Sequence, residues 1–232
     1  MTKFLANIIG YVVEFLYGLI GNYGLTIIVL TLLVRLLLLP LYNKQNKYSA
    51  AMAEIQPKIN EIQTRYAADK TTMNEKLNEV YQEADVSPLS GCLPLLIQFP
   101  IIIGLFALLR TPLEFMTGTQ MIAAVHESFL WIPDLSQPDT WILPIAAGLT
   151  TYLTTASAPS GDANAASMNA MKYFFPIMIF LLGKSYPAGL ALYWAVGNVF
   201  TFIQTLYFNM KKKKAKEEKE IEAEAQKRAK KK

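Results

Sequence analysis

Long apolar runs without charge, separated by segments dense in lysine and glutamate, restrict the fold of this chain more than any other feature. A helix needs about 20 predominantly apolar residues to cross the hydrocarbon core of a bilayer. Several runs approach that length. Hydrophobic residues make up 53% of the 232 positions, above the share of about 45–50% that is usual for soluble domains. The pattern predicts an all-α membrane protein with five transmembrane helices.

The order of the runs predicts the organisation of the chain. The first stretch holds a glutamate and four aromatic residues, which favours an interfacial amphipathic helix, with a membrane span as the alternative. The predicted segments are an interfacial helix at 1–21, transmembrane helices at 22–43, 89–110, 141–157, 172–184 and 185–209, a helical hairpin at 44–88, loops at 111–140 and 158–171, and a basic tail at 210–232. The fourth span is short unless residues 170–172 extend its helix.

The segment between the first two spans carries charges of both signs and one narrow apolar seam. Its apolar residues recur at spacings of four and three residues in two runs, separated by a short polar break. This heptad spacing predicts two helices packed as an antiparallel hairpin outside the membrane. Pro57 lies inside the first helix and should bend it or mark a break.

Basic residues predict how the chain is oriented. Lys44 and Lys47 follow the first span, and four lysines at 211–214 follow the last. Cytoplasmic flanks are enriched in lysine and arginine, and five spans place these two flanks on the same side of the membrane. The hairpin and the C-terminal tail are therefore predicted to be cytoplasmic, and the interfacial helix and the acidic loop at 111–140 are predicted to lie outside.

Few residues in the chain are suited to catalysis or metal binding. The sequence has one cysteine, Cys92, and one histidine, His126, so neither an internal disulfide nor a Cys/His metal cluster is expected. It has no GxSxG or HExxH motif, and Ser90, Cys92 and His126 are not spaced as a catalytic set. We therefore expect no enzymatic activity, no cofactor and no metal site.

One arginine, Arg35, lies inside the aliphatic first span. A cation at the centre of a membrane helix costs about 2.5–3.5 kcal/mol on insertion scales. The Arg35 side chain covers only about half of the roughly 12 Å along the helix between Arg35 and Asn43. No predicted span contains Asp or Glu, so only Glu14, if it turned inward, would pair with it. We favour a hydrated polar cavity around Arg35, with snorkelling or structural hydrogen bonding as alternatives.

Polar side chains on the other spans are candidate walls of this cavity. They are Gln98, Thr150, Thr151, Tyr152, Trp194, Asn198 and Gln204. Each alone would be an ordinary interhelical hydrogen bond, typically worth less than about 1 kcal/mol. Asn198 and Gln204 share one helix without the spacing of a facing pair, so the set cannot all face one point. Only the set together with Arg35 favours a cavity.

Five segments in a fixed order carry a resemblance to a known family. They read NYGLTIIVLTLLVRLLLLPL, IQPKINEIQTRY, GCLPLLIQFPIIIGLFALL, FLW and PAGLALYWAVGNVFTFIQ. The combination resembles the YidC-type membrane protein insertases, in the short five-span form of Gram-positive bacteria. The resemblance extends over residues 22–208, nearly the whole membrane part.

The resemblance implies an insertase of the bacterial plasma membrane, which receives nascent membrane proteins alone or with the Sec translocon and releases them into lipid. It implies that Arg35 lies in a hydrophilic groove open to the cytoplasm and to lipid. It also implies a hairpin that receives substrate, with Lys44, Lys47, Lys58 and Arg65 as candidate contacts. A small channel or transporter with the same polar cavity is the alternative function, although no internal repeat relates the two halves of the chain.

The C-terminal tail is a candidate contact for a polyanion, because eleven basic residues follow Asn209. The resemblance implies that the tail contacts the ribosome, whereas its charge alone is equally suited to anionic membrane lipids. The candidate contacts are Lys211, Lys212, Lys213, Lys214 and Arg228.

Overall fold

The computed structural model describes residues 2–87, 93–116, 118–157 and 165–229; Ser90, Cys92 and the first half of the predicted loop at 158–171 lie outside these ranges. The helices are α1 Thr2–Ile20, α2 Tyr23–Leu37, α3 Leu39–Arg65, α4 Lys70–Glu83, α5 Leu93–Arg110, α6 Pro112–Phe115, α7 Thr119–Ala124, α8 Ile142–Ser157, α9 Ala165–Gly183 and α10 Ala188–Ala229. Within the described ranges no strand forms, and the β-contact is an isolated bridge. The predicted all-α class is confirmed.

The segment predicted as the first transmembrane span, residues 22–43, consists of α2 and the beginning of α3. α2 and α3 are separated by Leu38, and their axes differ by 60°. Pro40 explains the break, because it has no N–H to donate to the Leu36 carbonyl and its ring is tolerated only in the first turn of a new helix. The segment predicted as one span at 22–43 is thus broken near its end. α3 continues through Pro57, so no break occurs there.

α3 and α4 form the two arms of the predicted hairpin and pack against each other. Ile59, on the predicted apolar seam, is only 2% exposed. Asp69 caps α4 by accepting hydrogen bonds from the N–H groups of Thr71 and Thr72, each at 3.1 Å. A hydrogen bond from the Thr72 hydroxyl is the main cause that holds the pKa of Asp69 below its usual value. The short turn therefore fixes the start of the second arm.

α8, α9 and α10 pack closely at the C-terminal side of the fold. A Cβ atom on Gly148 would lie 3.1 Å from the carbonyl oxygen of Pro176, so a small residue lets α8 and α9 approach. α9 begins at Ala165, seven residues before the predicted start at 172. The second half of the predicted loop at 158–171 is therefore helical, because its alanine and methionine residues favour a helix.

α10 is one helix of 42 residues, about 63 Å long at 1.5 Å per residue. The sequence predicts a membrane helix at 185–209 and a basic tail at 210–232. Alanine, glutamate and lysine are strong helix formers. Lys213 and Glu217 also form an i,i+4 pair, with 3.8 Å between Nζ and Oε1. The described part of the tail therefore continues the membrane helix.

α1 packs against α2 and α5 and contributes Ala6, Val13 and Leu16 to the core. By length and composition, Lys3–Ile20 of α1 and Ala188–Glu218 of α10 are able to cross a membrane, and the bent α2–α3 pair is a third candidate. The described helices are those of a membrane protein. The count of five spans and the interfacial position of α1 stay predictions.

The loop between α7 and α8 closes the bundle at the end where α2 begins. The Glu127 carboxylate accepts hydrogen bonds from the Tyr17 hydroxyl of α1 and from the Tyr23 N–H of α2, the latter at 2.8 Å. A carboxylate is stabilised at a helix N-terminus by the helix dipole. The Gly189 N–H of α10 donates to the Leu135 carbonyl at 3.0 Å. This loop therefore ties together α1, α2 and α10.

Candidate functional site

Arg35 lies in the last turn of α2, just before the break. The 60° bend places Tyr42 of α3 beside the guanidinium, and Arg35 Nη1 donates a 2.8 Å hydrogen bond to the Tyr42 hydroxyl. The Arg35 Cζ atom lies 5.4 Å from the centroid of the Tyr42 ring. Only 6% of Arg35 is exposed. The bend at Pro40 therefore places Tyr42 over the arginine.

Tyr42 begins a chain of hydrogen bonds that joins four helices. Its hydroxyl donates to Gln98 Oε1 of α5 at 3.3 Å. Gln98 Nε2 donates in turn to the hydroxyl of Tyr193 in α10 at 3.1 Å. Tyr193 is 1% exposed, so the chain ends deep in the protein. Of the predicted wall residues, only Gln98 belongs to this Arg35 network, which consists of Arg35, Tyr42, Gln98 and Tyr193.

α10 approaches the guanidinium so closely that a side chain at position 197 would collide with it. A Cβ atom on Gly197 would lie 2.5 Å from Arg35 Nη2 and 3.0 Å from Nε. The Nε atom is buried and has no hydrogen-bond partner among the described residues. An unsatisfied buried donor costs about 1–3 kcal/mol. Arg35 is therefore held in electrostatically unfavourable surroundings.

Among the described residues, no carboxylate forms an ion pair with Arg35. None of the four ion pairs between described residues includes it. Glu14 is the acid that the sequence left as a candidate partner for Arg35. Its carboxylate accepts a hydrogen bond from the Gly118 N–H at 2.9 Å. Within the described part of the chain, Arg35 is thus a buried cation whose hydrogen-bond acceptor is a neutral hydroxyl.

Thr151 is the centre of a second polar cluster, which joins α8 to α10. Its hydroxyl accepts hydrogen bonds from Trp194 Nε1 at 3.0 Å and from Asn198 Nδ2 at 2.8 Å. The same hydroxyl donates to the Ala147 carbonyl at 2.7 Å. Three predicted wall residues therefore lie together, but their polar groups satisfy one another.

The other predicted wall residues join neither cluster. Thr150 donates to a backbone carbonyl of its own helix at 2.7 Å. The Tyr152 ring stacks on Tyr173 with 6.0 Å between the ring centroids. Gln204 Nε2 donates to Asn43 Oδ1 at 3.2 Å, linking α10 to α3. The hydrogen bonds of the predicted set therefore fall into separate groups.

The hydrated recess around Arg35 stays a prediction, and the described side chains pack closely around the guanidinium. Tyr42 covers the guanidinium from α3, and Gly197 brings α10 against it. The contacts between described residues are the structural hydrogen bonding that is the alternative prediction for Arg35. A hydrated recess at Arg35 would require α3 to move away from α2.

A cleft of about 680 Å³ lies farther along α3, between this helix and α10. Lys47 and Glu54 line it from α3, and Gln204, Lys211 and Lys212 are among the residues that line it from α10. The Lys212 ammonium and the Glu54 carboxylate form an ion pair at 2.8 Å, which connects the two helices. The hairpin arm and the helical tail therefore share one groove.

The predicted basic contacts lie at the surface. The exposed residues are Lys44, Lys47, Lys58 and Arg65 on α3 and Lys211, Lys212, Lys213 and Lys214 on α10. The side chain of Arg228 lies outside the described residues. Only Lys47, Lys211 and Lys212 line the cleft.

Three residues around Arg35 are absent from the predicted site. In the sequence, Tyr42 looks like the end of a straight span. Pro40, two residues earlier, is the one sign that the helix breaks there and that Tyr42 could point back toward Arg35. Tyr193 and Gly197 lie in the apolar part of α10, where no charge distinguishes them. Their roles depend on how α10 is rotated against α2.

A model of the 60Kd inner membrane protein family matches residues 15–217. The chain belongs to this family. The 60Kd family membership and the long apolar helices make it an integral membrane protein of a bacterial membrane. The resemblance stated from the sequence is thereby confirmed.

Similar members of the 60Kd family have named activities. Membrane protein insertase YidC 2 of Listeria innocua is 43% identical over 195 residues, which are 82% of this chain and 64% of that protein. The YidC insertase of Oceanobacillus iheyensis is 45% identical over 200 residues, 81% of this chain and 75% of that protein. That of Caldanaerobacter subterraneus is 35% identical over 205 residues, 88% of this chain and 93% of that protein.

A crystal structure of an active YidC insertase with its first transmembrane domain resolved has a similar fold. Its TM-score to this chain is 0.67 at 32% identity, and the match covers 86% of this chain and 45% of that one. The chain thus spans less than two thirds of the Listeria relative and under half of the solved insertase.

Proposed function

We propose that this chain is a membrane protein insertase, which receives nascent hydrophobic segments at Arg35 and releases them sideways into the bilayer. One observation carries the proposal: Arg35 is a buried cation that contacts a tyrosine hydroxyl and, among the described residues, no carboxylate. Its electrostatic partner then comes from the substrate. The named activity of the relatives supports the same role.

An acidic residue beside a nascent apolar segment is the partner that Arg35 attracts. Two unit charges 4 Å apart attract by about 4 kcal/mol at an effective dielectric constant of about 20, against about 1 kcal/mol in bulk water. The unpartnered Nε–H of Arg35 offers the carboxylate a charge-assisted hydrogen bond. Burial of the apolar segment in lipid then drives its release, and no nucleotide takes part.

Access to Arg35 requires α3 to swing about Leu38 and carry Tyr42 away. In addition to the hydrogen bonds of the Tyr42 hydroxyl, polar contacts at the surface hold α3 to α10. The ion pair between Glu54 and Lys212 is one of these contacts. Exposed ion pairs contribute about 0.2–1 kcal/mol. The arm is therefore weakly held, and an incoming segment that replaces the Tyr42 contact displaces it.

In this proposal the hairpin and the tail face the cytoplasm of the bacterial cell, where nascent chains arrive. The positive-inside rule supports this orientation. The hairpin contacts for nascent chains are Lys44, Lys47, Lys58 and Arg65. The tail contacts the ribosome or anionic lipid, and the Sec translocon is a partner for some clients. Gln98 lines the proposed groove, because it belongs to the Arg35 network.

Arg35→Ala and Arg35→Lys test the charge, and Leu33→Ala on the same helix is the matched control, because Leu33 is 46% exposed. Protease protection in vesicles measures insertion of a single-span client with an acidic outer flank, beside a client whose flank acids are replaced by their amides. Arg35→Ala should insert the acidic client about tenfold more slowly, the factor that 1.4 kcal/mol produces. Arg35→Lys should keep part of the activity.

The amide client should be affected much less by either substitution, because it carries no charge for Arg35 to attract. Leu33→Ala should insert both clients at the wild-type rate. Full insertion of the acidic client by folded Arg35→Ala would reject the proposal.

A further inference from the structure

The cleft between α3 and α10 lies where α10 changes from an apolar helix to a charged one. Its α10 wall passes from Tyr207 and Phe208 to Lys211 within four residues. Aromatic rings followed by cations are typical of the headgroup level of a membrane. The cleft therefore spans the depth at which an acyl chain ends and a phosphate begins.

The charges that line the cleft favour an anion. They are three lysines, Lys47, Lys211 and Lys212, and one acid, Glu54, with a net charge of +2. Glu54 is already paired with Lys212. Lys47 and Lys211 form no ion pair with any described residue. Two cations from two different helices are therefore left for an anionic group.

The uncharged part of the lining suits the rest of an amphiphile. Gln204 Oε1 is buried without a partner among the described residues, although Nε2 of the same amide bonds to Asn43. A hydroxyl group inserted between α3 and α10 would donate a hydrogen bond to this oxygen. Ala50 and Ala51 leave room on the α3 wall for an apolar chain. The volume of about 680 Å³ lies within the range of about 300–1,000 Å³ that is usual for small-molecule sites.

We propose that the cleft binds one anionic glycerophospholipid of the phosphatidylglycerol type. Its phosphate pairs with Lys47 and Lys211, and a hydroxyl of its glycerol headgroup donates to Gln204 Oε1. The bound lipid connects the hairpin arm to the helical tail. The site uses neither Arg35 nor Tyr42, so its test does not depend on insertion activity.

Two double variants separate this site from general attraction by the tail. Lys47→Gln/Lys211→Gln removes the two cations that line the cleft without an ion pair. Lys213→Gln/Lys214→Gln removes two charges from the same helix outside the lining. Each full-length protein is stripped of lipid in detergent and titrated with phosphatidylglycerol, and native mass spectrometry counts the lipids retained. The cleft variant should bind about tenfold more weakly, whereas the control variant should bind one lipid as the wild type does.

A third variant tests the shape of the site. Ala51→Trp fills the cleft without changing its charge and should reduce retention of the lipid, with folding checked by circular dichroism.

Phosphatidylcholine and glycerol 3-phosphate should fail to compete, because the first lacks net charge and the second lacks acyl chains. Equal losses in the two double variants, unchanged retention by Ala51→Trp, or effective competition by glycerol 3-phosphate would each overturn the proposal. Displacement of the lipid by an acidic peptide at equal concentration would overturn it in favour of a peptide site.

Discussion

A methyl group added at position 197 tests how closely α10 holds Arg35. The Cβ atom of Gly197→Ala would lie 2.5 Å from Arg35 Nη2, whereas ordinary contact begins at 3.4 Å. The guanidinium must then move by about 0.9 Å, the difference between these distances. A shift of this size directly away from Tyr42 would lengthen the 2.8 Å bond to its hydroxyl to about 3.7 Å, beyond the usual hydrogen-bonding range.

The net effect on stability is the difference between two opposing free energies. Loss of a hydrogen bond to a charged group costs about 1.5–3 kcal/mol. Replacing glycine by alanine inside a helix gains about 0.8–1.0 kcal/mol. Gly197→Ala should therefore lower the free energy of unfolding by about 0.5–2 kcal/mol. Gly18→Ala is the matched control, because no atom lies within 4 Å of a Cβ there, and it should gain up to about 1 kcal/mol.

Reversible unfolding in detergent micelles, followed by circular dichroism, measures both free energies. In a Tyr42→Phe background the cost of Gly197→Ala should shrink, because the hydrogen bond is already missing. The reasoning is refuted if Gly197→Ala stabilises the protein as much as Gly18→Ala. It is also refuted if the cost is the same with and without the Tyr42 hydroxyl.

Two further predictions concern the rest of the fold. Gly10→Ala would place a Cβ atom against the Phe115 carbonyl oxygen, so α1 must shift, and the same unfolding assay should show an overpacking cost of about 1–3 kcal/mol; an unchanged stability would contradict that close contact. In the loop before α8, burial alone would raise the pKa of Asp134, but hydrogen bonds with Ser136 and His126 outweigh it and hold the pKa below its usual value. The stabilisation from this lowered pKa is complete above about pH 5 and is lost as the pH falls through the folded-state value. Asp134→Asn should therefore flatten the fall of the unfolding midpoint between about pH 5 and pH 3, and parallel curves for the two proteins would argue against it.

The membrane character of the chain could be predicted because long apolar runs must form helices that satisfy their own backbone in lipid. The sequence also narrowed the acids able to pair with Arg35 to Glu14, since none of the predicted spans contains Asp or Glu. The order of the sequence motifs identified the family that the comparison confirms. These features depend on composition and order, which a sequence contains directly.

The site residues were harder to predict because their partners depend on how each helix is rotated. Thr150 and Thr151 are adjacent, but successive residues of a helix point about 100° apart. Thr151 reaches α10, whereas Thr150 bonds to its own helix. The role of Tyr42 depends on the angle of the break, which Pro40 permits but does not specify. Polarity alone therefore selected residues that the fold keeps apart.

The secondary structure of the tail is a feature that the prediction left open. The prediction considered only its charge, and the helix-forming tendency of its alanine, glutamate and lysine residues received no weight. That tendency places Lys211 and Lys212 on a continuous helix beside α3. The cleft follows from this continuity.

Charge reversal at position 35 tests most directly whether the buried cation meets the flank of a client. Arg35→Glu and the wild type are reconstituted in vesicles at equal amounts of folded protein. Each is given a single-span client whose outer flank carries either aspartates or lysines. The wild type should insert the acidic client faster, and Arg35→Glu should insert the basic client faster. The same preference in both proteins would contradict the account, because the charge at this position would then have no part in receiving the substrate.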